Sequence, residues 1–151
     1  MKRLVYFALF LSIGFMACTS SNENGNGESV PEEPVFSMVE EMPRFLAPEC
    51  EKLTGNDRQG CANIKMLEYV RGNLKYPESA KEKGMEGQAV IGFNIEKDGS
   101  VSKMEIIRDP GEGMGEEAKR IVASFPKFIP GKQKGEVVIV RYNMPVKFKL
   151  N

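Results

Sequence analysis

The sequence of 151 residues contains no histidine. That absence excludes a Ser-His-Asp or Cys-His nucleophile system, an HExxH zinc site and an imidazole general base. An excess of either charge is also lacking, because Lys+Arg and Asp+Glu number 21 each. No overall field draws the chain to nucleic acid or to an acidic membrane surface. No apolar run approaches the roughly 20 residues that span a bilayer as a helix; the longest, Leu4 to Ala17, has 14. Cysteines number three, and no internal repeat is visible. What is present is a 41% hydrophobic content and a length that suits one modest domain with a tail.

Lys2 and Arg3 precede the short apolar run, which closes Phe15-Met16-Ala17-Cys18 and gives way at once to Thr19-Ser20-Ser21-Asn22. A basic start, a short apolar stretch and a small residue at the boundary read as a secretory signal peptide over residues 1–17. The ending is similar to a bacterial lipobox, which implies cleavage before Cys18 and lipidation of that residue. Such a product is a membrane-anchored chain without a transmembrane helix. Thr19 is not the Asp that retains many lipoproteins at the inner membrane, so the expected location is the outer membrane, facing the periplasm. Residues 18–34 then form a polar tether rich in Asn, Gly, Ser, Glu and Pro. Its flexible part has an r.m.s. reach of about 20–25 Å.

Residues 35–62 read as an irregular segment containing Pro43, Pro48 and the two remaining cysteines, Cys50 and Cys61. An exported chain with one such pair suggests a disulfide. A redox role is the alternative, but the spacing is not CxxC and no thioredoxin-like βαβ pattern surrounds it. Gly55, Asn56, Asp57 and Gly60 inside the loop are turn formers.

Residues 63–151 carry the periodic signals. Ile64, Leu67, Val70 and Leu74 recur at near-helical spacing from Asn63. Tyr76-Pro77 ends that helix, and Pro77 can start a short second one closed by Gly84. Ala89, Ile91, Phe93 and Ile95 alternate as one face of a strand, and Asp98-Gly99 marks a hairpin to a return strand over residues 101–108. Residues 116–125 form an amphipathic helix with Ala118, Ile121, Val122 and Phe125 on one face. In residues 136–150, Val138, Val140, Tyr142, Met144, Val146, Phe148 and Leu150 point one way, and Arg141, Asn143, Lys147 and Lys149 the other. Pro145 inside this strand places it at a sheet edge. The expected fold is α+β in the order α-α-β-β-α-β: a small three-stranded antiparallel sheet with helices on one face.

The order Tyr76-Pro77, Ala80, Gly84, Glu86-Gly87, Phe93, Asp98-Gly99, Val101, Glu117-Ala118, Pro130-Gly131-Lys132, Gly135, Tyr142, Pro145 and Phe148 resembles the TonB C-terminal domain. Met42-Pro43-Arg44-Phe45 with the cysteine pair is similar to a TonB-like subset common in Bacteroidetes. The chain departs from the family at Phe128, where Trp is frequent, and at Met114-Gly115, where Leu-Asp is. It also has a lipobox and a short tether where a TonB energy transducer of the best-known type has an uncleaved inner-membrane helix and a long Pro-rich spacer.

The resemblance implies a binding module and not an enzyme. Its partners would be periplasmic peptide segments of TonB-dependent outer-membrane receptors, added as a strand beside the last strand. The residues expected to carry this are Val137, Val138, Ile139, Val140, Arg141, Tyr142 and Asn143, with backbone groups giving affinity and Arg141 and Asn143 tuning selectivity. The alternative is a scaffolding envelope lipoprotein that uses the same domain to form a homodimer or hold another partner. Catalysis has little support: Glu40-Glu41 and Glu116-Glu117 are adjacent in sequence and do not converge on one substrate. Asp109-Pro110-Gly111-Glu112-Gly113 lacks the Lys-Ser/Thr ending of a phosphate loop. No cofactor and no metal site are expected, since His is absent and the thiols are assigned.

Overall fold

A computed structural model describes residues 33–150 of the chain. The expected signal peptide, Cys18 and nearly all of the expected tether therefore lie outside the described residues.

The sheet is built on β3 (Gly87–Ile95), which pairs antiparallel with β4 (Val101–Arg108) on one side and with β7 (Glu136–Phe148) on the other. The Asp98-Gly99 turn joins β3 to β4, and Asp98 Oδ1 accepts from the Ser100 amide at 2.9 Å. The alternation read in the sequence holds: Ala89, Ile91, Phe93 and Ile95 are fully buried on one face. The three expected strands gain two short neighbours. β1 (Val35–Phe36) runs parallel to β7, and β6 (Gly131–Gln133) forms a tight antiparallel hairpin with it. A separate pair joins β2 (Arg44–Phe45) to β5 (Phe128–Ile129).

Residues 35–62 are less irregular than the sequence suggests. Glu33 begins an arm whose Val35–Phe36 pairs with β7, whose Glu41 bridges to Lys132, and whose Phe45 enters the core. Phe45 stacks at 5.6 to 5.7 Å from the rings of Tyr69, Phe125 and Phe128. Backbone pairing to a preformed hairpin, which leaves no periodicity, orders this segment. A 3₁₀ turn at Cys50–Lys52 follows, and Cys50 is bonded to Cys61 with the Cα atoms 5.6 Å apart.

α1 spans Gly55–Asn73, so it starts well before Asn63 and absorbs the residues read as turn formers. Asp57 in its first turn complements the helix dipole. Its buried face is the Ala62–Met66–Val70 stripe; of the expected Ile64–Leu67–Val70–Leu74 stripe, Val70 is buried and Leu74 packs against the core, while Ile64 and Leu67 are 57% and 43% exposed. Both stripes have helical spacing, and contact with the aromatic cluster selects the first. At the other end Arg120 Nη2 donates to the Asn73 carbonyl at 2.8 Å, satisfying a terminal helix acceptor.

α2 (Glu78–Glu82) follows Pro77, and Tyr76 both packs on Phe148 and donates to the Met85 carbonyl. α3 (Met114–Ala123) begins two residues earlier than expected because Asp109 Oδ1 accepts from the Gly111 and Gly115 amides and sets the loop into the helix. It buries Met114, Ala118, Ile121 and Val122 against β3 and β4, while Phe125 lies just past its end in the ring cluster. Glu117 accepts from the Lys75 amide and from Arg120, and the guanidinium holds its carboxyl below the usual range.

Candidate functional site

β7 is the longest strand, and its two sides differ. Along Val140 to Phe148 one side is fully paired with β3, from Ile95↔Val140 to Gly87↔Phe148. Among the described residues the opposite side is paired only by β1, at Val35↔Ile139 and Phe36↔Val140. β6 pairs with Glu136, Val137 and Val138. Among the described residues no strand lies beside Arg141 to Phe148 on the side away from β3.

The open edge is thus displaced from the stretch read in the sequence. Val137 and Val138 are covered by Lys132 and Gly131, and Ile139 and Val140 by Val35 and Phe36. Only Arg141, Tyr142 and Asn143 of the expected binding residues lie on the free stretch. The hairpin and the arm are too short to show periodicity, so the sequence gives no sign of this cover. Pro145 falls within the free stretch, consistent with its inability to donate to a ladder.

Arg141 is committed elsewhere and is not a free selectivity residue. Its guanidinium crosses the open face of the sheet to β4, donating to the Lys103 carbonyl at 3.0 Å and to Glu105 Oε2 at 2.6 Å. Asn94 lies under it, buried, with Oδ1 at 3.5 Å. Lys103 sits in a bulge of β4 at φ 43°, which turns its carbonyl toward the guanidinium. Asn143, by contrast, is exposed on that face.

On the helix-covered face, Tyr142 and Met144 meet Asn63, Met66 and Leu67 of α1 around a groove of about 210 Å³, whose lining also includes Pro145. Sequence reading missed it because α1 was turned onto the wrong face there. Ala62, Met66 and Val70 at i, i+4, i+8 were the available signal. Burial pushes the Tyr142 phenol above its ordinary value. Tyr142 also packs on Phe93 with centroids 5.6 Å apart, which fixes one wall of the groove.

What this arrangement offers is backbone donors and acceptors with an apolar flank. Among the described residues no group of three or more His, Cys, Asp or Glu side chains could hold a metal ion. No helix of the described residues is long and apolar enough to cross a membrane.

The family model of the Gram-negative bacterial TonB protein C-terminal region matches residues 72–150, just over half of the chain. No curated protein matches it. Among solved structures, the chain is similar to a Helicobacter pylori TonB C-terminal domain in solution, at 22% identity and TM-score 0.46, covering 58% of this chain and 91% of that one. A longer fragment of the same protein gives 19% identity and TM-score 0.41, with 70% and 97% covered. The Pseudomonas aeruginosa TonB C-terminal domain gives 25% identity and TM-score 0.41, with 50% and 77% covered.

Proposed function

The chain belongs to the TonB C-terminal family of Gram-negative bacteria, and on that footing we propose that it is an envelope lipoprotein that binds periplasmic segments of outer-membrane receptors by strand addition, in TonB-dependent transport. Lipid on Cys18 holds it to the outer membrane on the periplasmic side, and the domain works as a binding module without catalysis.

The observation that carries this reading is the side of β7 from Arg141 to Phe148 that no strand among the described residues pairs. An edge of that kind offers a row of N–H and C=O groups, and an incoming extended segment satisfies them with little demand on its own sequence. β1 gives an intramolecular precedent, since two residues of the chain's own arm already pair with this side of β7 at Ile139 and Val140. Those two pairs are weakly held for lack of length, so an incoming strand can extend past Arg141 by displacing them.

The test is a titration of the isotope-labelled full chain in detergent micelles with synthetic peptides copied from the periplasm-facing segments of the organism's own outer-membrane receptors. Saturable shifts of backbone amides from Arg141 to Phe148 support strand addition, and further shifts at Ile139 and Val35 report displacement of β1. If no peptide perturbs these amides at millimolar concentration while the fold is intact, the receptor-binding reading fails.

A further inference from the structure

The zero net charge of the chain hides an uneven placement of its cations. On the face of the sheet away from the helices, the strand registers put Arg108 of β4, Val90 of β3 and Pro145 of β7 in one row. Gln88 and Lys147 form the next. Arg108 and Lys147 are exposed and have no ion pair among the described residues. They flank a cleft of about 400 Å³ whose lining includes Gln88. The acidic groups nearby are engaged elsewhere. Glu86 Oε1 accepts from the Leu150 amide at 2.7 Å, and Asp109 Oδ1 accepts from the Gly111 and Gly115 amides. Glu105, further along the same face, is paired with Arg141.

β4 and β7 lie two strand spacings apart, about 10 Å. Long Arg and Lys side chains close that gap from either side. A guanidinium and an ammonium over one concave surface suit a phosphate group. Beside the cleft the face turns apolar. Ile107 is 50% exposed over Gly92, and Val90 and Pro145 continue the strip. Cations next to exposed aliphatic groups suit the surface of an anionic bilayer, where the charges meet phosphate and the apolar groups enter the headgroup boundary. A soluble phosphate compound would use the cations and leave the strip in water.

We infer that this open face of the sheet docks on a bilayer carrying anionic phospholipid, with headgroup phosphates in the cleft between Arg108 and Lys147 and with Ile107, Val90 and Pro145 against the lipid surface. With that face down, the open side of β7 points along the membrane and stays accessible. The inference rests on the membrane anchoring proposed above and is independent of strand addition.

The isotope-labelled full chain is placed in nanodiscs that contain a lipid with a gadolinium chelate on its headgroup. One set is phosphatidylcholine alone and the other includes phosphatidylglycerol. Co-purification with the discs reports the anchor, and the pattern of line broadening reports the docked face, so failure of one is not mistaken for failure of the other. The expected result is selective broadening of the Gln88, Ile107, Arg108 and Lys147 amides over those of α1 and α3. It occurs only with phosphatidylglycerol and fades at high salt. Arg108→Gln/Lys147→Gln lowers the docked-to-free ratio about thirtyfold, at about 1 kcal/mol per cation. Both residues are exposed, and the amide spectrum checks that the variant is folded. Arg71→Gln/Lys52→Gln, which removes two exposed cations elsewhere, leaves the pattern unchanged. Uniform broadening in anchored chains, or the same loss in both variants, overturns the inference. Shifts of the cleft amides with inorganic phosphate, without selective broadening in the discs, assign the cleft to a free anion and also overturn it.

Discussion

Arg141 reaches β4 only because Gly92, between them on β3, has no side chain. A Cβ at Gly92 would stand 2.5 Å from Arg141 Nη2 and 2.7 Å from the Ile107 methyl. The guanidinium lies in that space and ties three strands together through Asn94, Lys103 and Glu105. It also explains why Gly92 and Asn94 are buried although they face away from the helices. Gly92→Ala displaces the guanidinium and is expected to cost about 1–3 kcal/mol. In an Arg141→Ala background the same change should cost less, because the two residues share one space. Urea unfolding of the four members of this cycle measures the difference.

Phe45 belongs to the arm, outside the residues matched by the family, yet it is 7% exposed and touches three rings of the core. Phe45→Ala should destabilise by about 3–5 kcal/mol. Thermal unfolding checks it, and a loss below 1 kcal/mol would mean that the arm is not part of the folded unit.

Asp98 in the hairpin turn accepts from Lys127 Nζ at 2.7 Å and from the Ser100 amide and hydroxyl. Its carboxyl is held well below the usual carboxylate range, first by the Lys127 hydrogen bond and then by Ser100. A depressed folded-state pKa contributes stability above the unfolded value, and that contribution is lost as pH falls through the folded one. Asp98 is exposed and the effect is correspondingly small. Asp98→Asn should lower the urea midpoint at neutral pH, and its difference from the parent should vanish in strong acid. A difference that is independent of pH would assign the loss to turn geometry alone.

Cys18→Ser should move the chain from the membrane fraction to the soluble one and abolish labelling by a fatty-acid analogue. Labelling that persists in the variant would place the lipid elsewhere.

The core of the fold was legible because its signals are local and repeated. β3 declares itself by four alternating apolar residues, and Asp98-Gly99 fixes where the chain reverses. β7 and α3 are legible for the same reason. β1, β2, β5 and β6 have two or three residues each, too few for a period, and exist only because a partner strand is already in place. The site suffered accordingly. The last strand was recognised, but which part of it stays open is decided by Val35–Phe36 and Gly131–Gln133, far away in sequence or folded back on it. The face of α1 was ambiguous in one dimension, since the Ala62–Met66–Val70 and Ile64–Leu67 stripes lie side by side on the helix. The ring cluster settled it in three.

The bridge between Cys50 and Cys61 also fixes where tension from the N-terminal side arrives. A pull from the N-terminal side can strip β1 and then β2, releasing roughly 50 Å of extended chain between Val35 and Cys50. There the slack ends. The load passes through sulfur into the second turn of α1, and residues 51–60 never carry it. If the chain is anchored as proposed above, the helix that walls the groove is the first rigid element to feel the anchor while the bridge is intact; with the bridge reduced, the same pull would begin to unwind that helix from its N-terminus.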